Sequence, residues 1–125
     1  MDIRQGDIFW VDIPQNQTQG SEQYGRRPFL VVSRDAVNKT LKTVVAVPLS
    51  TTIEHQPPYR IVIPVHEITK DVLCTSQLFK SAAKTDQVRV MDKSRFQQCN
   101  KIGRLSRTAM LNVSSLGLAY VFEAN

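Results

Sequence analysis

The chain contains few of the residues that hold metal ions or disulfide frameworks. Its 125 residues include two cysteines and two histidines. Cys74 and Cys99 are far apart and have no C-x-x-C or Cys/His ligand spacing, and His55 and His66 stand alone in loop-like sequence. We therefore expect two reduced cysteines, no disulfide and no metal site.

The sequence also lacks long apolar runs, internal repeats and low-complexity stretches. No run approaches the length of a membrane span, and residues 1–5 are too polar for a secretory signal peptide. No linker divides the chain, and its length suits one hydrophobic core rather than two. We expect a single cytoplasmic domain that covers residues 1–125.

Positive charge is in modest excess and is not concentrated in one segment. The formal net charge is +5 and the pI is about 9.5. Basic residues are spread from Arg4 to Arg107 without a block of like charge, which excludes a basic tail. The balance favours a polyanionic partner without establishing one, and any anion-binding surface must be assembled by the fold.

Short β-branched and aromatic segments predict a mainly β fold. Strands are expected over residues 8–13, 28–33, 43–49, 59–65 and 88–91, and a strand with an irregular insertion over residues 67–81. Residues 15–26 are polar and predict a long loop. Together these elements predict a small, strongly bent antiparallel sheet or barrel.

One amphipathic helix is predicted near the C-terminal end. Ser106 can cap it by accepting hydrogen bonds from the first free backbone amides. Ala109, Val113, Leu116 and Tyr120 then fall on one face at helical spacing. That face is expected to pack across one face of the sheet.

The long predicted loop leads into Arg26, Arg27 and Pro28, at the mouth of a buried strand. A residue before proline adopts extended backbone, so Arg27 is expected to be held rigidly while its guanidinium reaches outward. The planar guanidinium can donate two parallel hydrogen bonds to a phosphate. The alternative, a surface arginine paired with an acid such as Glu22, is the commoner use of such a position.

Three hydroxyl residues, Ser50, Thr51 and Thr52, follow the third predicted strand. Strand ends are places where a rigid scaffold fixes the first residues of a loop. A hydroxyl here can hydrogen-bond a phosphate oxygen or a ribose 2′-OH. The alternative is a turn in which the hydroxyls bond their own backbone, and such turns are common.

Residues 84–89 mix basic and acidic side chains. Strand alternation would send Lys84 and Asp86 to one face and Arg89 to the other. A cation and a carboxylate on one face can grip a nucleotide, the carboxylate accepting from base amino groups. Lys84 and Asp86 can equally pair with each other on a solvated strand.

Five segments, taken in order, carry a resemblance to a known family. They read Gly-Asp-Ile-Phe-Trp-Val-Asp at 6–12, Gly-Ser-Glu-Gln-Tyr-Gly-Arg-Arg-Pro at 20–28, Val-Pro-Leu-Ser at 47–50, Asp-Gln-Val-Arg at 86–89 and Ile-Gly-Arg-Leu-Ser at 102–106. The chain resembles the MazF/PemK toxin endoribonucleases over nearly its whole length. The resemblance implies an SH3-like small β-barrel of the CcdB/PemK type with a C-terminal amphipathic helix, mainly β and α+β by content.

The resemblance also implies an activity and partners. Members of this family are homodimers that cleave single-stranded RNA at short sequences, and a cognate antitoxin occupies the RNA-binding groove. With no metal or cofactor, the 2′-OH of the substrate would attack the adjacent phosphate and leave a 2′,3′-cyclic phosphate and a 5′-hydroxyl. An arginine stays protonated and is a poor general base, so its expected role is electrostatic.

Site residues follow from the match, position by position. Arg27 matches the catalytic arginine before the proline, and Ser50 falls where the family usually has a catalytic threonine, with Thr51 adjacent as the other candidate. The expected RNA-binding residues are Ser21, Glu22, Gln23, Tyr24, Arg26, Lys84, Asp86, Gln87 and Arg89. Residues 54–83 are longer than in typical members and match poorly, so their loops are expected to alter which bases are read.

Two other functions remain open from the sequence. A gyrase-binding toxin of the CcdB type shares the fold, but those proteins act through a C-terminal Trp-Gly-Ile, whereas this chain ends in Tyr-Val-Phe-Glu-Ala-Asn and its single tryptophan is Trp10. A non-catalytic RNA-binding module is the second, since serine replaces the usual threonine at position 50.

Overall fold

In the computed structural model, which describes residues 2–17 and 25–125, the described residues form eight strands in one antiparallel sheet. Their order is β4-β6-β3-β2-β1-β8-β5, and β7 pairs with another part of β3. The strands are β1 (Asp7–Ile13), β2 (Gly25–Val31), β3 (Thr43–Ser50), β4 (Ile61–Ile63), β5 (Ile68–Lys70), β6 (Ser81–Ala83), β7 (Arg89–Asp92) and β8 (Lys101–Leu105).

Most of β1 and β3 and the second half of β2 are buried on both faces, because alternate side chains enter two separate apolar clusters. Ile8, Leu30 and Val47 lie in the helix-side cluster, which the C-terminal helix covers with residues that include Val113. The opposite face carries a phenylalanine cluster made of Ile3, Phe9, Val11, Ile13, Phe29, Val31, Val44, Ala46, Met91 and Phe96. Burial on both faces explains the continuous apolar character of β2 and β3, and the sheet curls into a half-barrel.

The expected C-terminal helix is present and its cap is confirmed. It runs from α2 (Arg107–Asn112) through a π-helical segment (Val113–Leu118) to α3 (Ala119–Val121). The Ser106 hydroxyl accepts a hydrogen bond from the Ala109 amide at 3.1 Å. A second helix, α1 (Asp35–Thr40), was not predicted.

The predicted apolar face of the helix is wrong in its second half. Leu116 is 60% exposed and Tyr120 is 62% exposed, whereas Gly117 is buried. A π-helical turn contains about one residue more than an α-helical turn, so the buried position moves from 116 to 117. A Cβ at Gly117 would lie 2.9 Å from the Tyr59 carbonyl oxygen, which explains the glycine.

The irregular segments differ from the expectations in their bounds. The strand expected over 59–65 is limited to β4, and the one expected over 88–91 is β7, one residue later. The single strand with an irregular insertion expected over 67–81 is wrong. β5 pairs with β8 at one edge of the sheet, whereas β6 begins at Ser81 and pairs with β3 and β4. The loop expected over 15–26 ends earlier than predicted, because Gly25 and Arg26 belong to β2, and residues 18–24 lie outside the described part. Short 3₁₀ turns occur at Gln15–Gln17, Val65–Glu67, Thr85–Gln87, Lys93–Arg95 and Gln98–Asn100.

Candidate functional site

Arg27 lies in β2, where its Cα pairs with that of Val11 and its side chain is exposed. Further along the strand, Phe29 pairs with Pro48 of β3. The paired stretch of β2 and β3 ends at Phe29 and Pro48. Continued by two residues, the antiparallel register brings Arg27 level with Ser50. Arg27 and Ser50 therefore share one face at one end of the β2–β3 pair.

Ser50 ends β3, and the two adjacent hydroxyl residues are placed differently. The Ser50 Cα pairs with Ala82 of β6, and its hydroxyl oxygen accepts a hydrogen bond from the Thr52 amide at 3.1 Å. The turn considered as the alternative is therefore present, but that bond leaves the Ser50 O–H available as a donor. Thr51 follows the end of β3, and Leu49, Ser50 and Thr51 all line one cavity together with Trp10 and Pro28.

Lys84 lies beside this end of the sheet, because its amide donates to the Pro48 carbonyl at 3.0 Å. The alternation expected after it is wrong, since Thr85–Gln87 is a 3₁₀ turn. Asp86 projects from that turn and pairs with Arg60, which follows Tyr59 just before β4. Arg60 Nε lies 2.7 Å from Asp86 Oδ1, and Arg60 Nη2 lies 2.7 Å from Oδ2.

The electrostatics of these groups are coupled. Hydrogen bonds from Arg60 lower the pKa of Asp86, against the effect of burial, and the same bonds raise the pKa of Arg60. Burial lowers the pKa of Lys84, and repulsion from Arg60 and Arg27 lowers it further, against the attraction of Asp86. Arg27, Lys84, Arg60 and Asp86 thus form one charged group beside Ser50.

Arg89 and Gln87 extend the same surface. The Arg89 Cα pairs with Ala46 in β3, and alternation along β3 places Ala46 on the face of Pro48 and Ser50. Arg89 Nη1 and Gln87 Oε1 are buried and have no hydrogen-bond partner among the described residues. Buried polar atoms of this kind are uncommon in folded proteins, where strain, a functional role or a bound water or ion accounts for them.

Arg26 lies on the opposite face from Arg27 because neighbouring residues of a strand alternate. Its guanidinium carbon lies 5.5 Å from the ring centroid of Trp10, and Nη1 lies 3.8 Å from Asp12 Oδ1. Arg26 Nη2 also donates to Asn100 Oδ1 at 3.3 Å. The candidate residues Ser21, Glu22, Gln23 and Tyr24 lie outside the described part of the chain.

Arg60 is the charged residue at this site that sequence reasoning missed. It falls in the long segment that matches the family poorly, within the strand expected over residues 59–65. The nearest signal was its basic character just after Pro57 and Pro58. No spacing in the sequence pointed to Asp86, which is 26 residues away.

Other features of the described residues concern ligands and membranes. Among residues 2–17 and 25–125, no group of three or more His, Cys, Asp or Glu side chains is placed to hold a metal ion. Cys74 and Cys99 are both free thiols. No helix within the described ranges is both long and apolar enough to span a bilayer.

Comparison with known proteins gives consistent matches. A family model described as "PemK-like, MazF-like toxin of type II toxin-antitoxin system" matches residues 4–119. The chain is 33% identical over 122 residues to Endoribonuclease MazF of Staphylococcus epidermidis, an alignment that covers 93% of this chain and 92% of that protein. The corresponding protein of Staphylococcus saprophyticus is 32% identical with the same coverage.

Solved structures confirm the fold. MazF from Deinococcus radiodurans superposes with a TM-score of 0.74 at 21% identity, covering 99% of both chains. A mycobacterial endoribonuclease in complex with its cognate antitoxin gives 0.72 at 20% identity, covering 98% of this chain and 97% of that one. The expected barrel of the PemK type with a C-terminal helix is therefore confirmed. Since the family model spans nearly the whole sequence, the chain belongs to the PemK/MazF family of toxins of type II toxin–antitoxin systems.

Proposed function

We propose that this toxin is an endoribonuclease that cleaves single-stranded RNA at a short recognition sequence. Relatives of similar length bear the name Endoribonuclease MazF, which supports the reaction class. The observation that carries the proposal is the placement of Arg27 and Ser50 on one face, level in register, with Lys84 beside them. A guanidinium, a hydroxyl and an ammonium at one strand end suit a phosphodiester.

The proposed reaction uses a nucleophile that the substrate supplies. The ribose 2′-oxygen forms a bond to the adjacent phosphorus and gives up its proton, while the bond from phosphorus to the 5′-oxygen breaks and that oxygen takes up a proton. The products are a 2′,3′-cyclic phosphate and a 5′-hydroxyl. Because the nucleophile is already next to the phosphorus, the protein must mainly orient the phosphate and stabilise charge.

Each site residue has a role in this scheme. Arg27 donates to the non-bridging oxygens as negative charge builds up on them, and its fork suits two of them at once. Ser50 donates its O–H to the phosphate and fixes its orientation. Lys84 and Arg89 attract the RNA backbone, and Asp86 and Gln87 offer acceptors to base edges. Positive charge from the protein replaces what a metal ion would supply, so we propose a metal-independent reaction without a cofactor.

We propose three features of the toxin's setting on the same grounds. It acts as a homodimer in the cytoplasm, where its RNA substrate is found. A cognate antitoxin neutralises it by covering the groove beside Arg27. Support for an antitoxin comes from two neighbours: the mycobacterial endoribonuclease structure contains its cognate antitoxin, and a second Deinococcus radiodurans structure is a MazE–MazF complex.

The test is incubation of the purified protein with a long single-stranded RNA in EDTA, followed by mapping of both new ends. We expect cleavage at a short sequence, 2′,3′-cyclic phosphate ends and no effect of the chelator. Activity that disappears in EDTA and returns with magnesium would contradict the mechanism. RNA binding without cleavage would indicate a non-catalytic module, and neither binding nor cleavage would favour a toxin of the gyrase-binding type.

A further inference from the structure

We propose that Arg60 is a positioning residue of this toxin: it ties the loop of residues 51–59 to Asp86, fixes one wall of the RNA groove and so sets which RNA is selected. The proposal rests on the proposed function, because it concerns the groove beside Arg27 and Ser50. Arg60, Asp86 and Gln56 form a contact that we call the Arg60 clamp.

The clamp is a three-point contact made by a single guanidinium. Two of its nitrogens lie 2.7 Å from the two carboxylate oxygens of Asp86. The third, Nη1, lies 3.0 Å from Gln56 Oε1 within the loop. Arg60 therefore joins the loop to the 3₁₀ turn that carries Asp86, and paired parallel bonds of this type are stronger and more directional than neutral ones.

Partial burial separates this contact from an ordinary surface ion pair. The side chains are 19% and 30% exposed for Arg60 and Asp86. Exposed pairs contribute little because water and salt screen them, whereas partly buried bidentate pairs are screened less. The clamp is thus able to restrain a loop.

A second link fixes the same end of the loop from the side of the helix. The fully buried Thr85 hydroxyl donates to the Tyr59 carbonyl at 2.6 Å. The Tyr59 ring stacks on Tyr120 with centroids 5.6 Å apart and an interplanar angle of 11°. The loop therefore starts at Ser50 and ends at a brace built on the C-terminal helix, so its course beside the catalytic hydroxyl is fixed at both ends.

The loop also contains a strained residue. His55 has a φ of 58°, and among the described residues it is the one non-glycine with positive φ. Such a conformation costs on the order of 1 kcal/mol or more and persists only where the surroundings impose it. Restraint by the clamp explains why the loop retains this shape.

The clamp determines what Asp86 can do in the groove. The contacts of Arg60 are directed to Asp86 and Gln56, so its role concerns the wall and not the phosphate. The carboxylate is held ionised and oriented, and it keeps lone pairs that can accept from a base amino group. The charged groups that face Asp86 are Arg60 from the loop and Lys84 from the sheet, with Arg27 beyond Lys84 and Tyr59 beside Arg60.

The experiment compares the wild type with Arg60→Gln, Arg60→Lys and a matched control, Arg107→Gln. Arg107 is exposed at the start of α2 and lines a cavity with Arg34 and Arg104 at the Asp7 end of the sheet. The probes are a short RNA with the preferred sequence, the same RNA with one base changed, and an uncleavable form with a 2′-deoxyribose at the scissile position. Circular dichroism confirms that each variant is folded.

For Arg60→Gln we expect the affinity for the uncleavable RNA to fall on the order of tenfold, because a released loop must be ordered on binding. The single-turnover rate at saturating RNA should stay within about threefold of wild type, and the ratio of kcat/KM between the preferred and altered RNAs should decrease. Arg60→Lys should be intermediate because it keeps the charge and loses the fork. Arg107→Gln should match the wild type.

RNA affinity measured over a range of pH separates the positioning of Asp86 from a general structural effect of the substitution. Arg60 lowers the pKa of Asp86, so in Arg60→Gln that pKa returns toward its ordinary value. Asp86 is then protonated at a higher pH. The pH at which acidification halves the RNA affinity should therefore be higher in Arg60→Gln than in wild type, and unchanged in Arg107→Gln. If wild type cleaves RNA while Arg60→Gln keeps its affinity, selectivity and midpoint, the clamp proposal is wrong. A wild type that does not cleave RNA would instead overturn the proposed function.

Discussion

Asp7 and Asp86 are carboxylates toward opposite ends of the same curled sheet, and their surroundings differ. Asp7 is fully buried, with Oδ1 3.0 Å from Arg104 Nε and 3.4 Å from Lys101 Nζ. Its Oδ2 accepts from the Arg4 amide at 2.9 Å. Asp86 keeps 30% of its side chain exposed and pairs with Arg60, with Lys84 nearby.

The comparison distinguishes a charge network that is enclosed in the fold from one that is partly open to solvent. At the Asp7 end, the carboxylate is enclosed by groups from the N-terminal segment and β8 and is not accessible to a partner. At the Asp86 end, Arg60 and Lys84 stand near a carboxylate that is partly open to solvent, and Arg27 lies beyond Lys84. We infer that loss of charge at the first end affects stability, whereas loss at the second affects RNA binding and cleavage.

The largest loss of cleavage rate is expected when Arg27 is substituted. Arg27→Ala removes an exposed guanidinium without removing core volume, so the fold should be retained. Loss of a charge-stabilising donor costs about a hundredfold to a thousandfold in rate. Arg27→Lys should also be poor, because an ammonium cannot reproduce the bidentate contact. The measurement is the single-turnover rate with thermal unfolding as the control, and a parallel loss of rate and Tm would contradict the assignment.

At the other end, Asp7→Ala should destabilise the fold by about 2–3 kcal/mol, because it leaves Lys101, Arg104 and the Arg4 amide without their acceptor. Asp86→Ala is the matched control and should cost about 1 kcal/mol or less, because Asp86 itself keeps 30% of its side chain exposed, whereas Asp7 is fully buried. Chemical denaturation of the two variants measures both values. Equal losses of unfolding free energy in the two variants would contradict the distinction between the Asp7 end and the Asp86 end.

The hydroxyl at the end of β3 should have a smaller effect than Arg27. Ser50→Ala is expected to reduce the single-turnover rate by about tenfold, the scale of one hydrogen bond to a charged group. Thr51→Ala should be close to wild type, since Thr51 lies beyond the end of β3 and is not held by the strand pairing that fixes Ser50. The opposite ranking of these two variants would show that Thr51 is the working hydroxyl.

The smallest effect is expected in the salt dependence of binding. Arg89→Ala should reduce the slope of log affinity against log salt by about one phosphate contact for an uncleavable RNA. Arg107→Gln, at the Asp7 end, should leave the slope unchanged. A slope in Arg89→Ala that equals that of wild type would remove Arg89 from the groove.

Much of the fold was predictable where the residue preferences of a segment agree with the way that segment packs. The strands β1, β2 and β3 were expected because their β-branched and aromatic residues are buried, and Ser106 was recognised as a cap because its hydroxyl serves backbone amides nearby in sequence. The resemblance supplied Arg27 and Ser50. Structure adds that they are level in register on one face, which alternation within a single strand cannot establish.

What was missed depends on contacts between distant residues. The six-residue helix α1 is supported by Asn38, whose Nδ2 donates to the Ser33 carbonyl at 2.9 Å, and by a 2.8 Å bond from the Gln5 amide to Asp35. A helix that short has no apolar period to detect. The displaced helix face results from the π-helical segment, which lets Gly117 approach Tyr59. Arg60 and Asp86 meet only when the loop folds back.

The most direct test of the account compares Arg27→Ala with Arg26→Ala in single-turnover cleavage of one short RNA. The two residues are neighbours with the same chemistry, and the strand directs them to opposite faces, Arg26 toward Trp10 and Asp12. The account predicts that Arg27→Ala is inactive while Arg26→Ala cuts at nearly the wild-type rate with slightly weaker binding. An inactive Arg26→Ala beside an active Arg27→Ala would contradict the site, because the phosphate would then lie on the Trp10 face of the sheet.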